Sequence, residues 1–312
     1  KMSTRISDSA RKLYTIYISL TLIEVVLLML GGLNLFDALI HTFGSIGSGG
    51  ISNYSDGISH FNSFYVEFIV IFFSVAASVN FVQYNHLLQR KWKEFFKDEE
   101  LRVFLTILVG SFILIALNLW ATGTYGPVLS ARKAAFQATA FMTTSGYSIG
   151  DYTIWPSFSQ TILFCLMLIG GCSASTAGSM KVLRVMILFK LIVRGMYKRL
   201  HPNAVVPVKI GSRIISAETV SMVSSFAILY FTIFVFSSLI VSLDNNDLLT
   251  TISAVAGSLS NTGLGMGLLG PDGNFAVFSV PTRLYLSVLM IAGRLELFAI
   301  ILLLTPSFWK AR

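Results

Sequence analysis

The chain has 312 residues, 54% of them hydrophobic and only 12% charged, with a formal net charge of +8. Soluble domains carry about 25% charged residues, whereas runs of ~20 uncharged residues match the hydrocarbon thickness of a bilayer. An ordinary soluble protein is excluded, and an integral membrane protein is expected. Read in chain order, six apolar segments are long enough to be helices: 13–31, 63–87, 101–122, 157–195, 217–243 and 275–305. Between the members of each pair lies a half-length apolar stretch, at 34–45, 130–142 and 246–260. At 1.5 Å per residue each reaches ~18–22 Å, short of a full span. Asn34, Ser130 and Asn246 open these stretches as capping-type residues. Each stretch runs into a polar, glycine-containing turn: SIGSGGIS, TTSGYS and NTGLGMG. The unit of long helix, short helix, polar turn and long helix thus occurs three times. Its expected boundaries are 1–100, 101–213 and 214–312, a fold-level repeat.

The second helix of the middle unit is interrupted at membrane depth by GGCSASTAGS, residues 170–179. Ten consecutive small residues, three of them glycine, hold a helix poorly. Cys165 and Cys172 lie in this apolar region without metal-ligand spacing, and read as small hydrophobic side chains.

The positive charge is distributed by topology. All but four of the 23 basic residues fall in 1–12, 86–102, 181–213 and the C-terminal Lys310 and Arg312. The alternate connections hold Arg132, Lys133 and Arg283 beside Asp37, Asp56, Asp151, Asp244, Asp247 and Asp272. By the positive-inside rule the basic segments, and both termini, are expected on the cytoplasmic side. Nucleic-acid binding is not needed to explain the charge.

Irregular backbone at membrane depth is tolerated only where it is buried in protein or lines water. Glycine permits a left-handed backbone, so carbonyl oxygens can turn toward a common axis and replace the hydration shell of an ion. Ser, Thr and Asn add further oxygens. No Lys or Arg lies in any of the three turns, and the short helices point their partially negative C-terminal ends at them. A monovalent cation is the expected occupant. The candidate filter residues are Ser48, Gly49, Gly50 and Ile51, then Thr143, Thr144, Ser145, Gly146 and Tyr147, then Asn261, Thr262, Gly263 and Leu264. Close packing of small residues between helices is the bland alternative.

At this point the pieces TRISDSARKLY, FGSIGSGGISNYSDG, FQATAFMTTSGYSIGDY, IGGCSASTAGSMKVLRV, LSNTGLGMG, AGRLELF and LTPSFW form an ordered set. With them the chain resembles, nearly from end to end, the membrane subunit of the bacterial Trk/Ktr potassium-uptake systems. The resemblance implies an all-α membrane protein with four pore-loop repeats around a central ion pathway, of which this chain matches the second, third and fourth. It implies K⁺ at the filter residues, no covalent chemistry and no cofactor in this chain. It also implies a bacterial inner-membrane location, a homodimer, and a cytosolic RCK-type nucleotide-binding regulatory subunit. The family's gate maps onto Gly170, Gly171, Cys172, Ser173, Ala174, Ser175, Thr176, Ala177, Gly178 and Ser179. Where the family usually has an aromatic after the filter glycine, Tyr147 fits, whereas Ile51 and Leu264 depart.

Arg294 is the second sharp signal. It lies about 16 Å along a helix from Arg283, hence near the bilayer midplane, where an arginine needs a wet or polar interior. It is expected to bond carbonyls or hydroxyls of the 170–179 loop below the filter, setting a positive barrier. A buried pair with Glu24 or Glu67 is the bland alternative. Lys181 and Arg184 follow the loop and read equally as its anchor or as ordinary flanking charge. GMGLLG at 265–270 matches a dinucleotide fingerprint literally but follows an apolar helix, the wrong context. His41, His60, His86 and His201 lack a second ligand at metal spacing. Rival readings are an ion-coupled secondary carrier with its site at the broken helix, and a non-conducting assembly subunit.

Overall fold

The computed structural model describes residues 2–54, 56–271, 273–304 and 309. Asp272, Lys1, Lys310, Arg312 and most of the LTPSFW ending lie outside the described residues. The chain opens with α1 (Met2–Leu30), whose portion Ala10–Leu30 is apolar and long enough to cross a membrane. Asn34 then caps α2 (Leu35–Ile46), its side chain accepting from the Asp37 amide. After the first polar turn, Ser63 caps α3 (Phe64–Ser78) in the same way through Val66. Two short helices, α4 (Tyr84–Leu88) and α5 (Trp92–Lys97), lead to α6 (Glu99–Ala121), capped by Asp98.

The middle unit continues with α7 (Pro127–Met142), α8 (Ser157–Ile169) and α9 (Val182–Leu200). A small antiparallel hairpin of β1 (Lys209–Ile210) and β2 (Arg213–Ile214) follows, the one departure from all-helical structure among the described residues. The last unit comprises α10 (Ala217–Val241), α11 (Leu248–Leu259), α12 (Val280–Arg294) and α13 (Leu297–Leu304). The half-length helices α2, α7 and α11 have 12, 16 and 12 residues, or about 18–24 Å of rise.

Two expected caps move. Ser130 lies inside α7, which starts earlier because Pro127 has no amide to leave unpaired and its fixed φ suits the first helical position; Gly126 is the cap residue. The cap of α11 is Asp247 rather than Asn246, its carboxylate accepting from Thr250.

Three of the six long segments are single helices of spanning length: Ala10–Leu30, Glu99–Ala121 and Ala217–Asp244. The other three are broken. The interruption at 170–179 was expected, but the continuous segments 63–87 and 275–305 were not found. α3 stops at Ser78, and the extended chain beyond it pairs the Phe81 amide with the Ala174 carbonyl. α12 stops at Arg294, and Glu296 takes a left-handed backbone with φ +59°. For α12 the physical reason is charge. The break lets Arg294 and Glu296 turn to separate partners instead of facing hydrocarbon.

Each half-length helix packs between the two long elements of its own unit, α2 on α1 and α3, α7 on α6 and α8, α11 on α10 and α12. α7 also meets α3, and α8 meets α11, so the units form one body. The outer faces of the long helices present Ile18 and Leu22, Val109 and Leu117, and Ile228 and Leu239 to the exterior. Such continuous apolar stripes fit acyl chains and would aggregate in water.

Candidate functional site

The three turns have one local construction. α2, α7 and α11 end in right-handed cap residues Gly47, Thr143 and Ser260. The next residues, Ser48, Thr144 and Asn261, are left-handed with φ of 49°, 54° and 57°. Two positions later Gly50, Gly146 and Gly263 are left-handed again, at 57°, 77° and 76°. Within each turn an amide reaches back to the helix: Gly49 to Gly44 O, Ser145 to Ala140 O and Thr262 to Gly257 O, at 2.9, 3.1 and 2.9 Å. This closes the helix end much as a Schellman cap does. The chain then leaves each helix with alternating backbone handedness, which re-aims successive peptide groups.

Tertiary packing brings the turns together. A Cβ on Gly50 would stand 2.3 Å from Ser145 O and 2.6 Å from the Gly146 carbonyl carbon. A Cβ on Gly146 would stand 2.5 Å from Thr262 O. Glycine is therefore required here by close approach as well as by positive φ. A Cβ on Gly263 would meet nothing within 4 Å, so that flank of the cluster is open.

The aromatic residues act across turns. Tyr147 is buried, and its hydroxyl donates to His41 O at 3.0 Å and Ile51 O at 3.3 Å, bracing the first turn from behind. Tyr152 Oη donates to Gly265 O at 2.7 Å and braces the third. Leu264 is buried in the core cluster that holds Phe141, Met142 and Tyr152, whereas Ile51 is 72% exposed. His41 bonds Asp37 O and Ser52 Oγ, a structural histidine.

Two of the hydroxyls are hydrogen-bonded within the protein. Thr143 Oγ1 donates to Thr139 O within its own helix, and Thr144 Oγ1 accepts from the Gly178 amide at 2.8 Å. Each of these bonds ties its turn to a neighbouring backbone group and leaves the hydroxyl oxygen a free lone pair.

Above the turns lies a cavity of about 350 Å³ lined by Gly50, Gly146, Gly263, Tyr54, Asp56 and Asp151, with carboxylates and no basic side chain among the described residues of its wall. Below them the 170–179 segment forms an irregular loop. It touches all three turns: Ser48 Oγ donates to Thr176 O at 2.8 Å, the Gly178 amide donates to Thr144, and Gly178 abuts Ser260 O. Its other side is held by α3, with the Cys172 amide on Ser78 O and the Thr176 amide on Ala77 O.

Arg294 reaches this junction from α12. Nη1 donates to Thr176 O at 2.6 Å and to Ser48 Oγ at 3.0 Å, and Nη2 donates to Gly47 O at 3.0 Å. Neither Glu24 nor Glu67 pairs with it. Glu24 accepts from Ser45 Oγ, and Glu67 is held by Arg132 through two 2.7 Å bonds between α3 and α7. Glu296 pairs with Arg184 at 2.7 Å, while Arg184 lies over the Phe226 ring. A small cavity of about 130 Å³, lined by 175–179, Gly293 and Arg294, lies under the loop. GMGLLG forms only a short 3₁₀ turn, with the Met266 amide on Ser253 Oγ, and follows no strand.

The contact of the 170–179 loop with Thr144 and the grip of Glu100 on Ser173 leave no mark in the sequence. No spacing marks a contact between residues that far apart in sequence. The α12 break did leave a signal, Arg294 and Glu296 two positions apart inside an apolar run.

Comparison with known proteins agrees with this geometry. A family model described as "Cation transport protein", TrkH, matches residues 1–310. The Trk system potassium uptake protein TrkH of Halomonas elongata is 32% identical over 99% of this chain and 64% of its own length. TrkG of Escherichia coli is 33% identical over 100% of this chain and 64% of its own. The crystal structure of the potassium transporter TrkH from Vibrio parahaemolyticus superposes with a TM-score of 0.89 and 33% identity, over 98% of this chain and 66% of that one. The chain thus spans about two thirds of the length of these relatives. It is a multi-pass membrane chain of a transport family, and it belongs to the TrkH family of cation transport proteins.

Proposed function

We propose that the protein containing this chain takes up K⁺ through a carbonyl-lined filter formed by 48–51, 143–147 and 261–264. The observation that carries this reading is the meeting of three identically built turns, each at the C-terminal end of a half-length helix. The helix dipoles and the outer Asp56 and Asp151 favour a cation there, and backbone oxygens replace its water. The name of the potassium uptake relatives supports K⁺ as the ion. In this reading the repeats divide at 100/101 and 213/214.

The 170–179 loop is the gate, pressed against the inner face of the filter. Arg294 neutralises the negative end of α2 at Gly47 O, so a cation arriving at that point meets a guanidinium instead of free carbonyls. Uptake begins when this bonding is broken. The basic segments face the cytoplasm, with both termini, in a bacterial inner membrane. There a second copy and a nucleotide-binding regulatory subunit complete the assembly.

The test is ⁸⁶Rb⁺ uptake into liposomes holding the full protein. Uptake competed by K⁺, and independent of imposed Na⁺ or H⁺ gradients, is expected. Uptake no greater than in empty liposomes refutes the reading; strict dependence on a coupling ion replaces it with a carrier.

A further inference from the structure

Three consecutive carboxylates, Asp98, Glu99 and Glu100, open α6, and each holds a different part of the molecule. Asp98 caps the helix through the Leu101 amide at 2.9 Å and accepts from Gln83 Nε2 at 2.8 Å. Glu99 accepts from Lys190 Nζ on α9 and from the Gly211 amide at the turn of the β1–β2 hairpin, each at 2.5 Å. Glu100 is buried and accepts twice from one residue of the gate loop, from the Ser173 amide at 2.5 Å and from Ser173 Oγ at 2.8 Å. Successive helix residues point about 100° apart, so one rigid turn serves both neighbours.

The loop bonds continue from there. Ser175 Oγ donates to Cys172 O, and Thr176 O receives Arg294 and Ser48. A chain of hydrogen bonds and one helical turn therefore runs from the hairpin to the underside of the filter. A cavity of about 550 Å³ separates the hairpin from the loop, bordered by Asn80, Glu94, Glu100, Ser173 and Arg213. The hairpin is also held to α9, where Lys190 Nζ donates to Lys209 O at 2.7 Å and Ile210 packs in the cluster of Leu183 and Ile187, so the α6 turn and α9 flank this cavity.

We propose that Glu100 is a positioning residue of the gate loop, and that Glu99 beside it ties that position to the 209–214 hairpin. A force on the hairpin then moves the first turn of α6, and with it Ser173. This rests on reading 170–179 as the gate, but its physical content is mechanical coupling between two segments, whether or not an ion passes. Carboxylates suit the task because hydrogen bonds to charged groups are roughly twice as strong as neutral ones, and both bonds of Glu100 must be lost together.

The test is amide hydrogen exchange, read by mass spectrometry on the 170–179 peptide of the full protein in lipid nanodiscs. Glu100→Ala should speed exchange there roughly tenfold or more, and Glu100→Gln, which keeps one acceptor, by less. Glu99→Gln and Lys190→Met should speed it several-fold, although neither residue touches the peptide. Glu218→Gln, on an exposed carboxylate at the start of α10, should leave it unchanged. Wild-type exchange in the Glu100 variants overturns the positioning role. Wild-type exchange in both the Glu99 and Lys190 variants overturns the coupling. Failure of the unsubstituted protein to take up ⁸⁶Rb⁺ would instead count against the transport reading and leave this measurement intact.

Discussion

Arg294 occupies a place that a permeating cation would also favour, the carbonyl end of α2. Its planar fork holds three acceptors at once, two of them carbonyls from different segments. Lysine carries the same charge but cannot reproduce that geometry. Arg294→Ala should therefore raise ⁸⁶Rb⁺ uptake by the unstimulated full protein several-fold, with Arg294→Lys between the two. Unchanged uptake in the alanine variant would remove the barrier role. The same residue was prominent in the sequence because a charge at membrane depth is expensive. Which groups would repay that cost was not legible, since Gly47 and Thr176 stand 247 and 118 positions away.

At the scale of elements, the half-length helices work because their ends are built alike. A left-handed residue, a spacer and a left-handed glycine recur in all three, and the glycines let one turn press on the next. Glycine is not uniformly valuable, and its neighbours decide the sign of a substitution. Gly146→Ala places a methyl 2.5 Å from Thr262 O at φ +77°. Strain and crowding together should cost about 2–4 kcal/mol. Gly110 lies within α6 with nothing inside 4 Å of its would-be Cβ, so Gly110→Ala should stabilise by about 0.5–1 kcal/mol through helix propensity alone. Thermal unfolding of the purified full protein separates these outcomes. A destabilising Gly110→Ala, or a neutral Gly146→Ala, would contradict the packing described.

For the whole molecule, the lateral apolar stripes and the segregation of basic residues are two views of one arrangement in the bilayer. Single cysteines placed at Ser59 or Gly273, in a background lacking Cys165 and Cys172, should react with a membrane-impermeant maleimide added to intact cells. Cysteines at Arg199 or His201 should react only after permeabilisation. The reverse pattern would invert the topology and with it the assignment of filter mouth and gate.

The sequence by itself determined the membrane class, the threefold series of long and half-length helices, the position of the polar turns and the interruption at 170–179. All of these follow from local composition and periodicity, which act within a few turns of helix. Only the tertiary structure decided that Gly50, Gly146 and Thr262 meet, that Thr144 bonds the 170–179 loop, and that α3 and α12 break. Those outcomes depend on which buried polar groups find partners across the fold. Such pairing is set by three-dimensional proximity, to which no single stretch of sequence has access.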